Sequence, residues 1–266
     1  MADETERLAQ FNAAAYEYER DGFASSPGPL LDAQTVTAIR EHAERIFLSQ
    51  YESGRSPRSN TGGPDVSKHP PYIEASFPQD SDFTLAWAIR DPRLAAWAAK
   101  ATGAKKLTVW NALVMKKYPT KTAKTVVGWH QDQKYLDRIL KGTTVNLWIA
   151  LDEVSRDTGP VRFVPGSHRW GRKYSTGFFE HDADKQRSEI EVPPGFEWQE
   201  VETPLPAGWA TVHSQMTVHG SGMCQGGRPR LSMLMSLAID DFEMVPGSDF
   251  AARIADRNGC PVVYGA

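Results

Sequence analysis

Two cysteines in 266 residues, Cys224 and Cys260, are all the thiols this chain has. They stand far apart and form no CxxC. That excludes a zinc ribbon and a disulfide framework, and it points to a reduced, cytoplasmic setting. No apolar run approaches the ~18 residues that a bilayer span needs. The opening MADETERLAQ lacks the basic and apolar regions of a secretory signal. An excess of one charge is missing too: the net charge is −3. Neither a nucleic-acid surface nor a basic membrane patch is expected, which leaves small molecules as partners. Internal repeats, low-complexity tracts and heptads are absent, so no pattern marks an oligomer interface. What remains is an ordinary balance, 40% hydrophobic and 24% charged. The length suits a single domain over residues 1–266 with a substantial core.

The chain changes character near Gly103. Before it, TERLAQFNAAAYEYER (5–20) has helical spacing and should stop at Asp21-Gly22. LDAQTVTAIREHAERIFLSQYE reads as an amphipathic helix capped by Asp32. Residues 53–70, rich in Gly, Ser and Pro, read as a flexible loop. DPRLAAWAAKATG has Asp91 as N-cap, Pro92 at the first helical position and Gly103 as C-cap. After Gly103 come short runs such as KLTVWNALVMKKYP, TVNLWIALDEV and RLSMLMSLAI, punctuated by Gly and Pro. They predict antiparallel strands. The expected division is a helical lead over roughly 1–104, a β core over roughly 105–241 and a tail over 242–266. A polar insertion at 171–203 should run over the surface.

Seven histidines occur: His42, His69, His130, His168, His181, His213 and His219. GWHQDQKY places His130 and Asp132 two residues apart. On a strand such residues share a face and would converge on one point, while Gln131 would face away. The pair alone is weakly specific, because a His-x-Asp arises easily by chance. HSQMTVHGSG offers His213 or His219 as a third ligand. Two histidines and a carboxylate occupy one face of an octahedral iron and leave three positions open. His219 is the better candidate, because Gly220-Ser221-Gly222 allow close backbone approach. The next strand then opens with Arg228-Pro229-Arg230, and an arginine there can clamp a dicarboxylate. His168 reads as structural; His42, His69 and His181 read as solvated. Trp129 and Trp170 read equally well as core or as pocket wall.

WHQD, LWIALDEVSRDTGPVRFVPGSH, VHGSG and RPRLSM together resemble the phytanoyl-CoA dioxygenase family of iron(II)- and 2-oxoglutarate-dependent oxygenases. The likeness runs from Leu107 to Asp240, with YERDGFASSPGPLLDAQTVTAI as a typical lead. It implies a mostly β fold with N-terminal helices, a double-stranded β-helix: a jelly-roll, cupin-like barrel. It implies His130, Asp132 and His219 as iron ligands and Arg230 as partner of the distal carboxylate of 2-oxoglutarate. It implies Ser221 as an assisting hydroxyl and Trp148 as a wall of the co-substrate pocket. Lys117 and Asn146 are further polar groups for that pocket, each with a plain structural role as its alternative. His213 falls at a position that is not a ligand in the family, and position favours Arg230 over Arg228.

The chemistry so implied is oxidation of a small metabolite by dioxygen, with release of succinate and CO2. Hydroxylation, desaturation or ring closure are the outcomes open to it, in secondary metabolism. Asp132 fills the position that a halide takes in the halogenating branch, so oxygenation rather than chlorination is expected. The insertion and the 53–70 loop are expected to border the barrel mouth. Both are polar, which favours a polar substrate over a fatty acyl-CoA. The alternative is a cupin-type metal-binding isomerase or binding module. An inactive scaffold and a zinc hydrolase fit less well: the first has no need of the full ligand set, and the second lacks HExxH.

Overall fold

A computed structural model describes residues 16–122, 125–173, 182–248, 250–251 and 260–265. Most of the first expected helix therefore lies outside the described residues. Its end is seen as α1 (Tyr18–Asp21), stopped by Gly22 in the left-handed region at φ 84°. The next helix, α2 (Ala33–Phe47), starts where expected, because the Asp32 carboxylate accepts from Thr35 N. It buries Val36, Ile39, Ala43, Ile46 and Phe47 on one face.

The lead is less purely helical than its sequence suggests. It contributes β1 (Phe23–Ser25), β2 (Ser59–Asn60) and β3 (Tyr72–Ser76) to a sheet, besides α3 (Phe83–Ala88) and α4 (Pro92–Thr102). Period-2 patterns of two to five residues are too short to stand out, and only pairing with longer strands makes them visible. The 53–70 loop is likewise partly ordered, by β2 and by a 3-10 turn at Val66–Lys68. In α4 the buried Asp91 carboxylate accepts from Arg93 N at 2.9 Å, and Gly103 closes the helix at φ 71°.

The remaining strands are β4 (Leu107–Lys117), β5 (Val127–His130), β6 (Leu140–Ala150), β7 (Val161–Phe163), β8 (Val201–Thr203), β9 (Ala210–Ser214), β10 (His219–Ser221), β11 (Arg230–Met244) and β12 (Val262–Tyr264). They form two antiparallel sheets. The larger has the order β1-β9-β6-β11-β4-β3-β2, with β12 on β4; the smaller is β5-β10-β7-β8. This is a jelly roll. It is not a closed barrel: among the described residues the ladders stay within each sheet, apart from a lone bridge between Val154 and Leu205. The last described strand of the tail packs on the sheet, since β12 pairs with Leu107 and Thr108.

Alternation decides which side chains meet the site. On β6 and β11, Val145, Leu147, Ile149, Leu231, Met233, Met235 and Leu237 join α2 and α4 in the main core. The opposite faces turn toward the smaller sheet. Between the sheets, Phe23 stacks on Phe163 at 4.3 Å. On β4, one register shift opposite Ser236 and Leu237 doubles a position, and both Trp110 and Asn111 then line the cavity.

The insertion differs from the surface excursion expected. It carries a helix, α6 (Ala183–Glu189), and ends in β8. Gln186 is fully buried, and its Oε1 accepts from Trp129 N at 2.7 Å. Trp129 and Trp170 pack with Val164, Ile190 and Val218, so both belong to a core under the insertion. A polar sequence hid this docking because a few scattered residues, Gln186, Ile190, Val192 and Trp198, make it.

Candidate metal centre

The site forms where the smaller sheet meets the end of a short helix. His130 is the last residue of β5, and His219, the first of β10, pairs with it across the ladder. Asp132 is not on a strand. It has φ −60° and ψ −30° and precedes α5 (Gln133–Leu136), which corrects the same-face argument. The chain turns between His130 and Asp132, and that turn brings the carboxylate back to the imidazole. Gln131 does point away, with Nε2 donating to Gly171 O and Met216 O and Oε1 accepting from Lys173 N.

One ligand atom each of His130, Asp132 and His219 lies within 4.8 Å of the others. His130 Nε2 is 3.5 Å from Asp132 Oδ1, and His219 Nε2 is 3.8 Å from Oδ2. Nδ1 of His130 lies 2.8 Å from Gly128 O, and Nδ1 of His219 lies 2.9 Å from Thr217 O. A carbonyl can only accept, so Nδ1 carries the proton and Nε2 offers its lone pair to the centre. Burial, then the neighbouring His130, drives His219 well below the usual histidine pKa. Burial alone would raise Asp132, but the imidazoles of His219, His130 and His213 outweigh it and hold the carboxyl well below its usual range. Neutral imidazoles and an ionised carboxylate are the protonation states a divalent cation requires. Gly220 keeps the two strands close: a Cβ there would sit 2.8 Å from Val127 O.

The concave face of the larger sheet adds two cross-strand rows. In one, His213, Asn146, Ser236 and Asn111 stand opposite one another on β9, β6, β11 and β4. Ser236 Oγ donates to Asn146 Oδ1 at 2.7 Å, and Asn146 Nδ2 donates to Asp132 Oδ2 at 2.8 Å. Asn146 thus orients a carboxylate of the centre and also lines the cavity beside it. In the other row, Arg230, Lys117 and Tyr72 are aligned on β11, β4 and β3. Arg230 is 3% exposed and Lys117 is fully buried. Lys117 Nζ donates to Ser221 Oγ at 2.6 Å and to Gly222 O at 2.9 Å. Arg230 Nη1 donates to Gly159 O at 2.7 Å, its Nε has no acceptor, and its guanidinium lies 5.2 Å from the Trp148 ring. Burial pushes Arg230 down to about 10, and burial with Arg230 beside it pulls Lys117 well below the usual lysine range. Among the described residues neither makes a salt bridge to a carboxylate. Two like charges, buried and opposite each other, are unfavourable in themselves. The pair fits a carboxylate that enters from outside the chain.

All eight sequence-derived residues, His130, Asp132, His219, Arg230, Ser221, Trp148, Lys117 and Asn146, come together here. All but Lys117 line one cavity of about 290 Å³, and Lys117 reaches it through Ser221. Arg228 does not share a strand face with Arg230; it precedes β11, and its Nη2 lies 3.5 Å from Glu153 Oε1. His42 and His69 are not simply solvated. His42 Nδ1 lies 2.7 Å from Asp82 Oδ2, and His69 is bonded at both nitrogens, to Tyr118 and Gly63. His168 holds Glu19 O, and His181 lies outside the described residues. Sequence reasoning missed Ser236, Tyr72, Glu74 and Asn111. Only strand register would have found them. Among the described residues, neither 53–70 nor 171–203 lines the cavity. Trp110, Leu113, Leu136, Ile139 and Phe250 do, so the polar mouth expected from those segments is replaced by apolar walls.

Comparison with known proteins agrees with this geometry. The chain matches the family Phytanoyl-CoA dioxygenase (PhyH) over residues 18–232. The "Probable alpha-ketoglutarate-dependent hypophosphite dioxygenase" of Stutzerimonas stutzeri is 30% identical over 127 residues, 43% of this chain; the chain spans 40% of that relative's length. Among solved structures, the non-heme alpha ketoglutarate dependent epimerase SnoN from nogalamycin biosynthesis has a TM-score of 0.65 at 25% identity, covering 93% of this chain and 89% of its own. The carbocyclase SnoK from the same biosynthesis has a TM-score of 0.68 at 21% identity, covering 92% and 90%. No helix among the described residues is long and apolar enough to cross a membrane. The residues present fit iron with 2-oxoglutarate as co-substrate: a nitrogen and oxygen donor set beside a buried cationic row. With the family match spanning most of the chain, this protein belongs to the phytanoyl-CoA dioxygenase (PhyH) family.

Proposed function

We propose that this protein is an iron(II)- and 2-oxoglutarate-dependent oxygenase that oxidises a small natural-product-like molecule, by hydroxylation or oxidative ring closure. The observation that carries the reading is the pairing of His130, Asp132 and His219 with two buried basic side chains, Arg230 and Lys117, that make no salt bridge to a carboxylate among the described residues. Bound there, iron(II) with 2-oxoglutarate would supply the oxidising power, dioxygen being reduced as the keto acid is converted to succinate and CO2.

The chain's own residues bind, orient and shield. His130, Asp132 and His219 hold the metal, and Asn146 holds the carboxylate of Asp132. Arg230 takes the distal carboxylate of 2-oxoglutarate as a two-donor clamp, with Ser221 beside it, and Lys117 keeps the Ser221 hydroxyl turned to accept from Nζ and donate to the carboxylate. Trp148 lies along the guanidinium and walls that end. Asp132 supplies a carboxylate where a halide would bind, which directs the centre to oxygenation rather than chlorination. The substrate lies beyond, between apolar walls (Trp110, Phe250, Leu136) and polar groups at Glu74 and Asn111. A molecule with a flat apolar body and hydroxyl or amine groups suits that mixture.

Anaerobic addition of Fe(II) and 2-oxoglutarate is expected to give the weak visible charge-transfer band of a keto-acid chelate. Admitting oxygen should then release succinate. His130→Ala and His219→Ala should remove both signals. Folded wild-type protein that shows neither band nor succinate would overturn the assignment.

A further inference from the structure

Six of the histidines have a place in the account so far, or lie outside the described residues. His213 has none. It is 2% exposed, it lines the same cavity, and neither of its ring nitrogens has a hydrogen-bond partner. Its ring lies 4.4 Å from that of His219 and 5.2 Å from that of Phe163. Its Nε2 is 3.6 Å from Asp132 Oδ2, beyond hydrogen-bond length. Buried polar atoms without a partner are rare and costly, and they ask for an explanation.

Three roles suit a fourth imidazole in such a place: a metal ligand, an orienter of Asp132, or a donor to something that enters the cavity. The first is disfavoured by the backbone. His130 and His219 each have Nδ1 on a carbonyl, which presents Nε2 as a ligand, whereas no such carbonyl holds His213. Nor do its nitrogens join the group of atoms within 4.8 Å of one another. The second role is already filled. Asn146, the cross-strand neighbour of His213, reaches Asp132 Oδ2 at 2.8 Å, while the imidazole stops short at 3.6 Å. The third remains. His213 comes from the larger sheet, opposite the strands that carry His130 and His219, and so faces the cavity between the sheets.

We infer that His213 is a positioning residue of the metal centre: its ring N–H donates to an oxygen atom of an exogenous ligand taken up beside Asp132, and it does not bind the metal. The ligand is either the metal-proximal carboxylate of 2-oxoglutarate or water. The inference rests on the proposed function, and its test separates the two.

The test uses anaerobic protein, titrated first with Co(II) or Fe(II) and then with 2-oxoglutarate, followed by visible absorption and calorimetry. His213→Phe keeps a flat ring against Phe163 and removes the donor; His213→Gln restores an N–H at the reach of Nε2. Melting curves confirm that each variant is folded, and wild type that forms no chelate refutes the proposed function itself. With the wild-type chelate present, His213→Phe is expected to keep its metal affinity within about threefold. It should bind 2-oxoglutarate roughly tenfold more weakly, with recovery in His213→Gln, if the carboxylate is the ligand. If water is the ligand, 2-oxoglutarate affinity holds and the ligand-field spectrum of the Co(II) protein shifts, again with recovery in His213→Gln. Loss of metal binding as complete as in His219→Ala would make His213 a ligand and overturn the inference. A fall in metal affinity alone, matching Asn146→Ala, would make it an orienter of Asp132, with the same consequence. No change in metal affinity, 2-oxoglutarate affinity or spectrum would leave only packing, and would overturn it as well.

Discussion

Replacing Arg230 by methionine is expected to leave the ligand-free protein about as stable and to abolish its response to 2-oxoglutarate. Arg230 is 3% exposed, stands opposite the buried Lys117, and has one acceptor, Gly159 O at 2.7 Å. Burying an ion without a counter-ion costs several kcal/mol, and about 1–4 kcal/mol returns when well-packed apolar side chains replace buried ions. Against that stands one charge-assisted hydrogen bond, worth about 1.5–3 kcal/mol. Methionine fills much of the space beside Trp148, so the packing loss is small. The two ranges nearly cancel, so ligand-free stability should hold within about 1 kcal/mol, or about 2–4 °C in Tm for a chain of this size. Binding does change. A two-donor clamp on a carboxylate is worth about 3 kcal/mol or more, so Kd for 2-oxoglutarate should rise at least ~100-fold. Melting with Mn(II), with and without 2-oxoglutarate, reads both effects in one experiment. A variant that melts several degrees lower than wild type and still gains stability from 2-oxoglutarate would refute the reasoning, because Arg230 would then be a structural cation.

Asn146→Ala removes the donor to Asp132 Oδ2 and should weaken Fe(II) or Mn(II) binding by about 10–100-fold with the fold intact, measured by metal titration. The pKa of Lys117 lies well below 10.5 in the folded chain. Between that depressed value and 10.5 the unfolded chain holds the extra proton, so the stability of the ligand-free protein rises with pH across the window. A carboxylate bound beside Arg230 favours the ammonium form, so 2-oxoglutarate binding should take up protons and weaken as pH rises. Calorimetry in two buffers of different ionisation enthalpy checks this, and proton release would contradict it. Asp91→Ala leaves α4 without its cap, and chemical denaturation should show a loss of about 0.5–2 kcal/mol with metal affinity unchanged.

Much of the site was legible in the letters because its chemistry is local. His130 and Asp132 are two residues apart, and VHGSG with Arg230 repeats a spacing that few other functions require. The caps at Asp32 and Asp91 could be read for the same reason: a cap is a contact between residues two or three apart. The composition excluded a disulfide scaffold and a basic nucleic-acid surface without any geometry.

The tertiary structure decided what depends on register and on which surfaces meet. The convergence of His130 and Asp132 comes from a turn into α5, which has the same two-residue spacing as a strand face. Asn146, Ser236 and His213 lie up to 90 residues apart and become neighbours only as one row across β9, β6 and β11. Shifting any of those strands by one residue would turn its member of the row to the other face. Arg230 and Lys117 could be named from sequence as pocket groups, but only the pairing of β4 with β11 shows that they are a buried, mutually opposed pair that fits an incoming carboxylate. The 171–203 segment reads as polar and surface-bound, yet Gln186 and Ile190 seat it over Trp129 and Trp170. Local chemistry is written in spacing along the chain, whereas the walls of a cavity are written in contacts between distant strands, which spacing does not carry.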